Sequence, residues 1–213
     1  CHQLRNTFQV LMGHVTLAGM ADESQRAQRL LLIEQTLEQS KPLLDQLMRM
    51  AHPDEGEVTN WDLNEVVRQF HAQARLVMPG TIGLTCDLSQ EPLPVLLDSQ
   101  GLMHALWNLV INARQAIEGE GSVALRTGGG EKLVWIEVAD SGCGMLPEVQ
   151  SRIFDPYFTT KPPGQGTGLG LTAVARFVRG SNGHVEVRST IGKGTTFRLA
   201  FPRTLTAVSS RTA

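Results

Sequence analysis

Cysteine is scarce and scattered in this chain. Cys1, Cys86 and Cys143 are its three positions, with no CxxC pair and no histidine at ligand spacing. That argues against a zinc site or a disulfide framework and fits a reducing, cytoplasmic setting. Long apolar runs are missing: none approaches the ~18 residues that a membrane-spanning helix needs, and no signal peptide is visible. Nor is there an excess of one charge. The formal net charge is −2 and the basic residues are dispersed, which makes nucleic acid a poor partner. The Walker pattern GxxxxGK[ST] is absent, so a P-loop enzyme is unsupported, and no internal repeat or low-complexity tract occurs.

What is present is 213 residues, 41% of them hydrophobic, enough for one or two domains with a sizeable core. Residues 1–52 carry apolar residues at helical spacing. Leu4, Phe8, Leu11, Val15 and Ala18 mark one helix, and Leu30, Ile33, Leu37, Leu44, Leu47 and Met48 a second, bent at Pro42. Two helices cannot bury both apolar stripes, so an antiparallel hairpin that pairs with a second copy into a four-helix bundle is expected. Residues 53–60 read as a linker. Asp62 and Glu65 resemble a capping box opening a helix to about Leu76. A strand near 81–88, a proline-containing connection, and a helix over 99–118 follow. Next come strands near 122–127 and 132–139, then an irregular segment over 141–167 with a short helical candidate near 147–153. A helix over 168–180 and strands near 184–189 and 195–201 complete the pattern. The interleaving predicts an α+β protein: the hairpin, then a two-layer α/β sandwich over 61–203, with a polar tail over 204–213. The chain opens at Cys1 inside a helical pattern. This suggests an excised catalytic portion, with room upstream for a sensor or a membrane anchor.

Four blocks in the second domain point to one nucleotide pocket. In NLVINARQAI (108–117), Asn108 and Asn112 lie four residues apart and project from one helical face. Asparagine is a mediocre helix former, and its amide oxygen suits Mg²⁺, which keeps waters and phosphate oxygens as its other ligands. In DSGCGM (140–145), Asp140 ends an apolar strand, where its carboxylate could accept from an exocyclic amine such as that of adenine. Gly142 and Gly144 would let the backbone approach the base. In IFDPYFTTK (153–161), Lys161 and the Thr159–Thr160 pair offer charge and hydroxyls. GQGTGLGLTAV (164–174) is a glycine-rich loop entering a helix, suited to holding phosphates on backbone N–H groups. Its GxGxxA match to a dinucleotide fingerprint lacks the preceding strand. Any one block is weak alone; DSGCG by itself reads as a strand-end turn.

Together, residues 98–201 resemble the ATP-binding domain shared by sensor histidine kinases and the wider gyrase/Hsp90/MutL ATPase superfamily. The match runs through Asn108 and Asn112, then Asp140, Gly142 and Gly144, then Phe154 and Phe158, then Gly166, Thr167, Gly168, Leu169 and Gly170, and Gly192 to Phe197 including Thr195. The resemblance implies that Asp140 binds adenine, that Asn112 binds Mg²⁺, and that 145–167 is a mobile lid over ATP. His2, Gln3 and Asn6 resemble the phosphoacceptor block of such kinases. His2 would be the nucleophile, and Asn6, one turn later, would orient a water. The implied protein is a dimeric kinase core that phosphorylates His2 and passes the group to a response-regulator aspartate. Two departures stand out. Gln3 replaces the usual acid, and a neutral amide cannot act as base; Thr7 replaces a frequent proline. One rival reading is a phosphotransfer or phosphatase module with weak autokinase activity. Another is a non-signalling ATPase, against which Asn108 weighs, since such ATPases usually carry a glutamate base there.

Overall fold

The computed structural model describes residues 57–162 and 167–204, all within one compact unit, Glu55–Ala213. The expected hairpin over 1–52 and the tail beyond Thr204 lie outside the described residues.

The elements are β1 (Thr59–Asp62), α1 (Leu63–Val77), β2 (Ile82–Asp87), β3 (Pro94–Leu97), α2 (Ser99–Ala116), β4 (Gly121–Gly129), β5 (Leu133–Asp140), the single turn α3 (Pro147–Gln150), α4 (Gly170–Gly180), β6 (His184–Thr190) and β7 (Gly194–Pro202). Five strands form one mixed sheet in the order β2-β4-β5-β7-β6, and β1 pairs with β3 in a separate two-stranded ribbon. Only β2–β4 is parallel; the other neighbours in the large sheet run antiparallel.

Alternation along the strands explains the layers. Val123, Leu125, Val134, Ile136, Val138, Phe197, Leu199 and Phe201 are all buried on one sheet face. Against them pack the apolar stripes of the helices: Val67 and Phe70 of α1, Leu102, Leu106 and Leu109 of α2, and Val174 and Val178 of α4. The opposite sheet face mixes charged residues, Arg126, Glu137 and Arg198, with Trp135 and Ala200. This is the expected mixed α/β arrangement, with one face of the sheet covered by helices.

Asp62 caps α1 as expected, and Asp98 caps α2. The Asp62 carboxylate accepts from the Asn64 N–H at 3.0 Å, and Asp98 accepts from Gln100 and Gly101 at 2.9 and 3.0 Å. The capping box is half-built, because Glu65 pairs with Arg68 instead. Two strands differ from the sequence reading. β1 starts at Thr59, inside the segment read as a linker, and β3 occupies the segment read as a connection. Each is four residues long, too short to show a period. They are stable because they pair with each other and because Val95 and Leu97 are buried.

Candidate functional site

α2 is the spine of the site. Its apolar stripe, including Leu102, Leu106, Leu109, Val110 and Ala113, is buried, which leaves Asn108, Asn112 and Gln115 on the remaining surface at spacings of four and three. The Asn108 amide donates back to the His104 carbonyl at 3.1 Å. Its Oδ1 lies so near α4 that a Cβ on Gly170 would stand 3.0 Å from it. A side chain at Gly170 would therefore require the Asn108 amide to give way by a few tenths of an ångström. The N-terminal turn of α4 has no side-chain cap at Leu169, so its leading N–H groups are left for other partners.

At the other end of α2, the turn after β5 packs on Ala116. The Cys143 N–H donates to the Ala116 carbonyl at 2.9 Å. A Cβ on Gly142 would sit 2.7 Å from that oxygen, and one on Gly144, which has φ +69°, 2.1 Å from the Thr190 carbonyl. These glycines were expected to make room for a base. The missing side chains also let the turn pack closely against the backbone of α2 and of the β6–β7 hairpin.

Asp140 is partly buried at the end of β5. Its Oδ1 accepts from the Gly142 N–H at 2.8 Å and from the Thr195 N–H at 3.2 Å. Among the described residues no hydrogen bond reaches Oδ2, so that oxygen is left as an acceptor. Burial raises the Asp140 pKa above the ordinary 3.8, while the two backbone donors pull it back. Thr195 is buried, and Gly194 (φ +89°) lies so close that a Cβ there would be 1.9 Å from the Asp140 carbonyl.

The strap after α3 reaches back to α2. Lys161 Nζ donates to Asn112 Oδ1 at 3.4 Å and also to Gln115 Oε1. The Lys161 N–H donates to Thr159 Oγ1 at 3.2 Å. The Phe158 ring lies under the Arg152 guanidinium at 4.4 Å. Thr167 Oγ1 accepts from the Leu169 N–H at 3.4 Å, and the Gly168 carbonyl accepts from the Tyr157 N–H at 3.0 Å.

The structure thus links Asn108 with Gly170, Asn112 with Lys161, and Asp140 with Gly142 and Thr195. Phe158 and Thr159 are on the strap, and Thr167, Gly168 and Leu169 lead into α4. His2, Gln3, Asn6 and Gly166 lie outside the described residues. Sequence reasoning missed Gln115, although its spacing from Asn112 puts it on the same face. It also missed Ser189, whose hydroxyl interrupts the apolar series Val185, Val187 on the inward face of β6. Among the described residues no cluster of three His, Cys, Asp or Glu could hold a metal. A divalent ion here would rest on amide and phosphate oxygens.

The model of the histidine kinase-, DNA gyrase B-, and HSP90-like ATPase family matches residues 97–205. The chain belongs to this family. The signal transduction histidine-protein kinase AtoS of Escherichia coli (strain K12) is 30% identical over 209 residues, covering 94% of this chain and 33% of AtoS. The catalytic domain of histidine kinase ThkA superposes with a TM-score of 0.61 at 28% identity, over 69% of this chain and 98% of that one. Full-length ShkA in complex with AMPPNP superposes with a TM-score of 0.72 at 25% identity, over 97% of this chain and 45% of that one. The chain spans a third of the length of AtoS. The family match encloses every α2, β5, strap and α4 residue of the site and ends just past β7. Among the described residues no helix is long and apolar enough to cross a membrane.

Proposed function

We propose that the chain is the catalytic core of a two-component sensor histidine kinase. It transfers the γ-phosphoryl group of ATP to His2, and from there to an aspartate of a response-regulator receiver domain. The observation that carries this reading is the Asp140 carboxylate, partly buried in a family ATPase fold. Its Oδ1 is satisfied by backbone and its Oδ2 is left to accept from an exocyclic amine such as that of adenine.

The remaining roles follow from chemistry and position. Thr195 neighbours the base through Asp140. Asn112 offers an amide oxygen to Mg²⁺, alongside phosphate oxygens, and Asn108 holds the α2–α4 junction. Phe158 shapes the strap. Thr159, Lys161 and Thr167 bring hydroxyls and a cation to the phosphates, and Gly166, Gly168, Leu169 and Gly170 bring backbone N–H groups. The metal, when bound, neutralises charge building on the transferred group. A lone pair of the His2 imidazole attacks the γ-phosphorus; the bond to the β–γ bridging oxygen breaks, and that oxygen leaves with ADP. Gln3 orients the ring but takes no proton, and Asn6 positions water when the receiver aspartate is dephosphorylated. Residues 1–52 dimerise as a helical hairpin, the segment up to β1 links it to the ATP-binding domain, and the whole is the cytosolic portion of a longer sensor.

Gln3 favours a second reading, a phosphotransfer or phosphatase module with slow autokinase activity. The test is incubation with γ-labelled ATP and Mg²⁺ followed by mapping of acid-labile phosphate. Labelling at His2, lost in His2→Ala while ATP affinity is kept, is the expected result. Labelling that persists in His2→Ala overturns the assignment of the acceptor. Steady release of free phosphate without phosphohistidine points to a non-signalling ATPase instead.

A further inference from the structure

We propose that Gln115, in the last turn of α2, is a positioning residue for the phosphates of the nucleotide: its amide oxygen holds the Lys161 ammonium beside Asn112. The proposal rests on the ATP reading above and gives a role to a residue that reading leaves without one.

Three side chains from two segments meet here. Asn112 and Gln115 lie three residues apart on α2, so their side chains emerge as neighbours on one helical face. Lys161, on the strap, donates from Nζ to Gln115 Oε1 and, at 3.4 Å, to Asn112 Oδ1. Its backbone N–H donates to Thr159 Oγ1 at 3.2 Å. An ammonium has donors and no acceptor, so both amides must turn their oxygens to it. The Asn112 oxygen is thereby aimed at a place that already holds one positive charge, and that oxygen is the one the ATP reading gives to a metal ion. The setting favours a cation. Gln115 is one residue from the end of α2, where the helix presents carbonyl oxygens and the negative end of its dipole.

The two bonds stop being equivalent once a metal ion arrives. A divalent ion on Asn112 Oδ1 repels the ammonium from that oxygen. Gln115 Oε1 is a second acceptor further along the same face, and it keeps Lys161 at hand. The phosphates then meet two cations, one on each amide. Fixing a lysine chain costs rotamer entropy, and the Gln115 bond fixes it before the nucleotide binds. Without Gln115, metal binding drives Lys161 away from the α2 face.

The test is calorimetric binding of ATP with Mg²⁺ to the full chain, beside adenosine binding read by ligand-observed NMR. Gln115 is exposed, so substitution there leaves the core intact, and thermal unfolding checks this. In Gln115→Met, which keeps the side-chain length without an acceptor, ATP affinity falls about 3- to 10-fold, as for one net hydrogen bond, while adenosine affinity changes by less than about twofold. Lys161→Met lowers ATP affinity at least as far. Adding Gln115→Met to it lowers affinity no further, because the two residues act through one contact. Gln115→Glu keeps an acceptor of the same length but neutralises the ammonium it holds, so ATP affinity falls here too although the strap stays tied to α2. Unchanged ATP affinity in Gln115→Met or Gln115→Glu, equal loss for ATP and adenosine, or additive losses in the double variant overturns the role of Gln115 and leaves the ATP reading standing. A wild-type chain that binds neither ligand overturns both.

Discussion

At the scale of single residues, Asp140 carries opposing demands. Burial makes its charge costly, and the Gly142 and Thr195 N–H groups return part of that cost through one oxygen. Because its folded pKa is raised, the folded chain binds this proton more tightly than the unfolded chain does. Its contribution to stability is full below the ordinary 3.8 and is lost as pH rises through the folded value. At neutral pH the ionised carboxylate is therefore a local burden on the fold, retained for what its free oxygen can bind. Asp140→Asn should unfold at the same temperature as wild type or slightly above it, while ATP affinity drops by about 10-fold or more, as for a lost charge-assisted hydrogen bond. Thermal melts and calorimetric titration read the two effects separately. In the wild type, ATP affinity should start to fall on acidification at a pH where an ordinary aspartate is still ionised. Gly168 makes a different demand. With φ +65° it meets Tyr157, itself at φ +65°, and a Cβ there would come within 2.3 Å of the Tyr157 carbonyl carbon. Gly168→Ala should cost about 1–3 kcal/mol in chemical denaturation, because backbone rather than a flexible side chain must move.

At the scale of elements, the long periodic pieces were legible and the short paired ones were not. α2 announces itself through its apolar stripe and the Asp98 cap, and β5 through a mostly apolar strand, interrupted by Glu137, that ends in Asp140. β1 and β3 carry no such signal, since four residues cannot display a period and their stability comes from pairing across 35 residues of chain, as in Asn60 with Leu96. The same limit hid the Asn64 network. This buried amide donates to the Ser89 and Glu91 carbonyls and accepts from Thr127 Oγ1 at 2.6 Å, contacts set by tertiary packing. The open face of the sheet adds another feature visible only in register. Asp87, Arg126, Glu137, Arg198 and Glu186 lie in one row across all five strands, alternating in sign. Within it Arg198 bonds Glu137 at 2.7 Å and covers the Trp135 ring at 4.3 Å. Arg198→Ala should cost about 1–2 kcal/mol, since it removes a cation–π contact as well as a partly desolvated pair. Arg68→Ala, which breaks the exposed pair with Glu65, should cost about 0.5 kcal/mol or less. Neither should change ATP affinity; urea titrations and nucleotide binding check this.

At the scale of the whole molecule, the proposed chemistry divides between a pocket that holds the phosphoryl donor and an acceptor some hundred residues earlier in the chain. The pocket is ill-equipped to spend ATP on water. Asn108, at the position where related ATPases were expected to carry a glutamate base, has its amide donating to the His104 carbonyl and its oxygen against Gly170. An amide so held takes no proton from water. The flux through the pocket then depends on how good a nucleophile the acceptor is, and His2 has Gln3 beside it where an acid would receive the imidazole proton. This ordering makes a prediction that a change in the pocket could not mimic. Gln3→Glu should raise the initial rate of His2 labelling by about 10-fold or more, toward the lower end of what a positioned general base supplies, while leaving ATP affinity and the melting temperature of the ATP-binding domain unchanged. The gain should disappear below the pKa of the new carboxylate, because the protonated acid cannot accept. A rate unmoved by Gln3→Glu, with ATP bound normally, would mean that delivery of the phosphoryl group to His2, rather than proton removal from it, sets the pace.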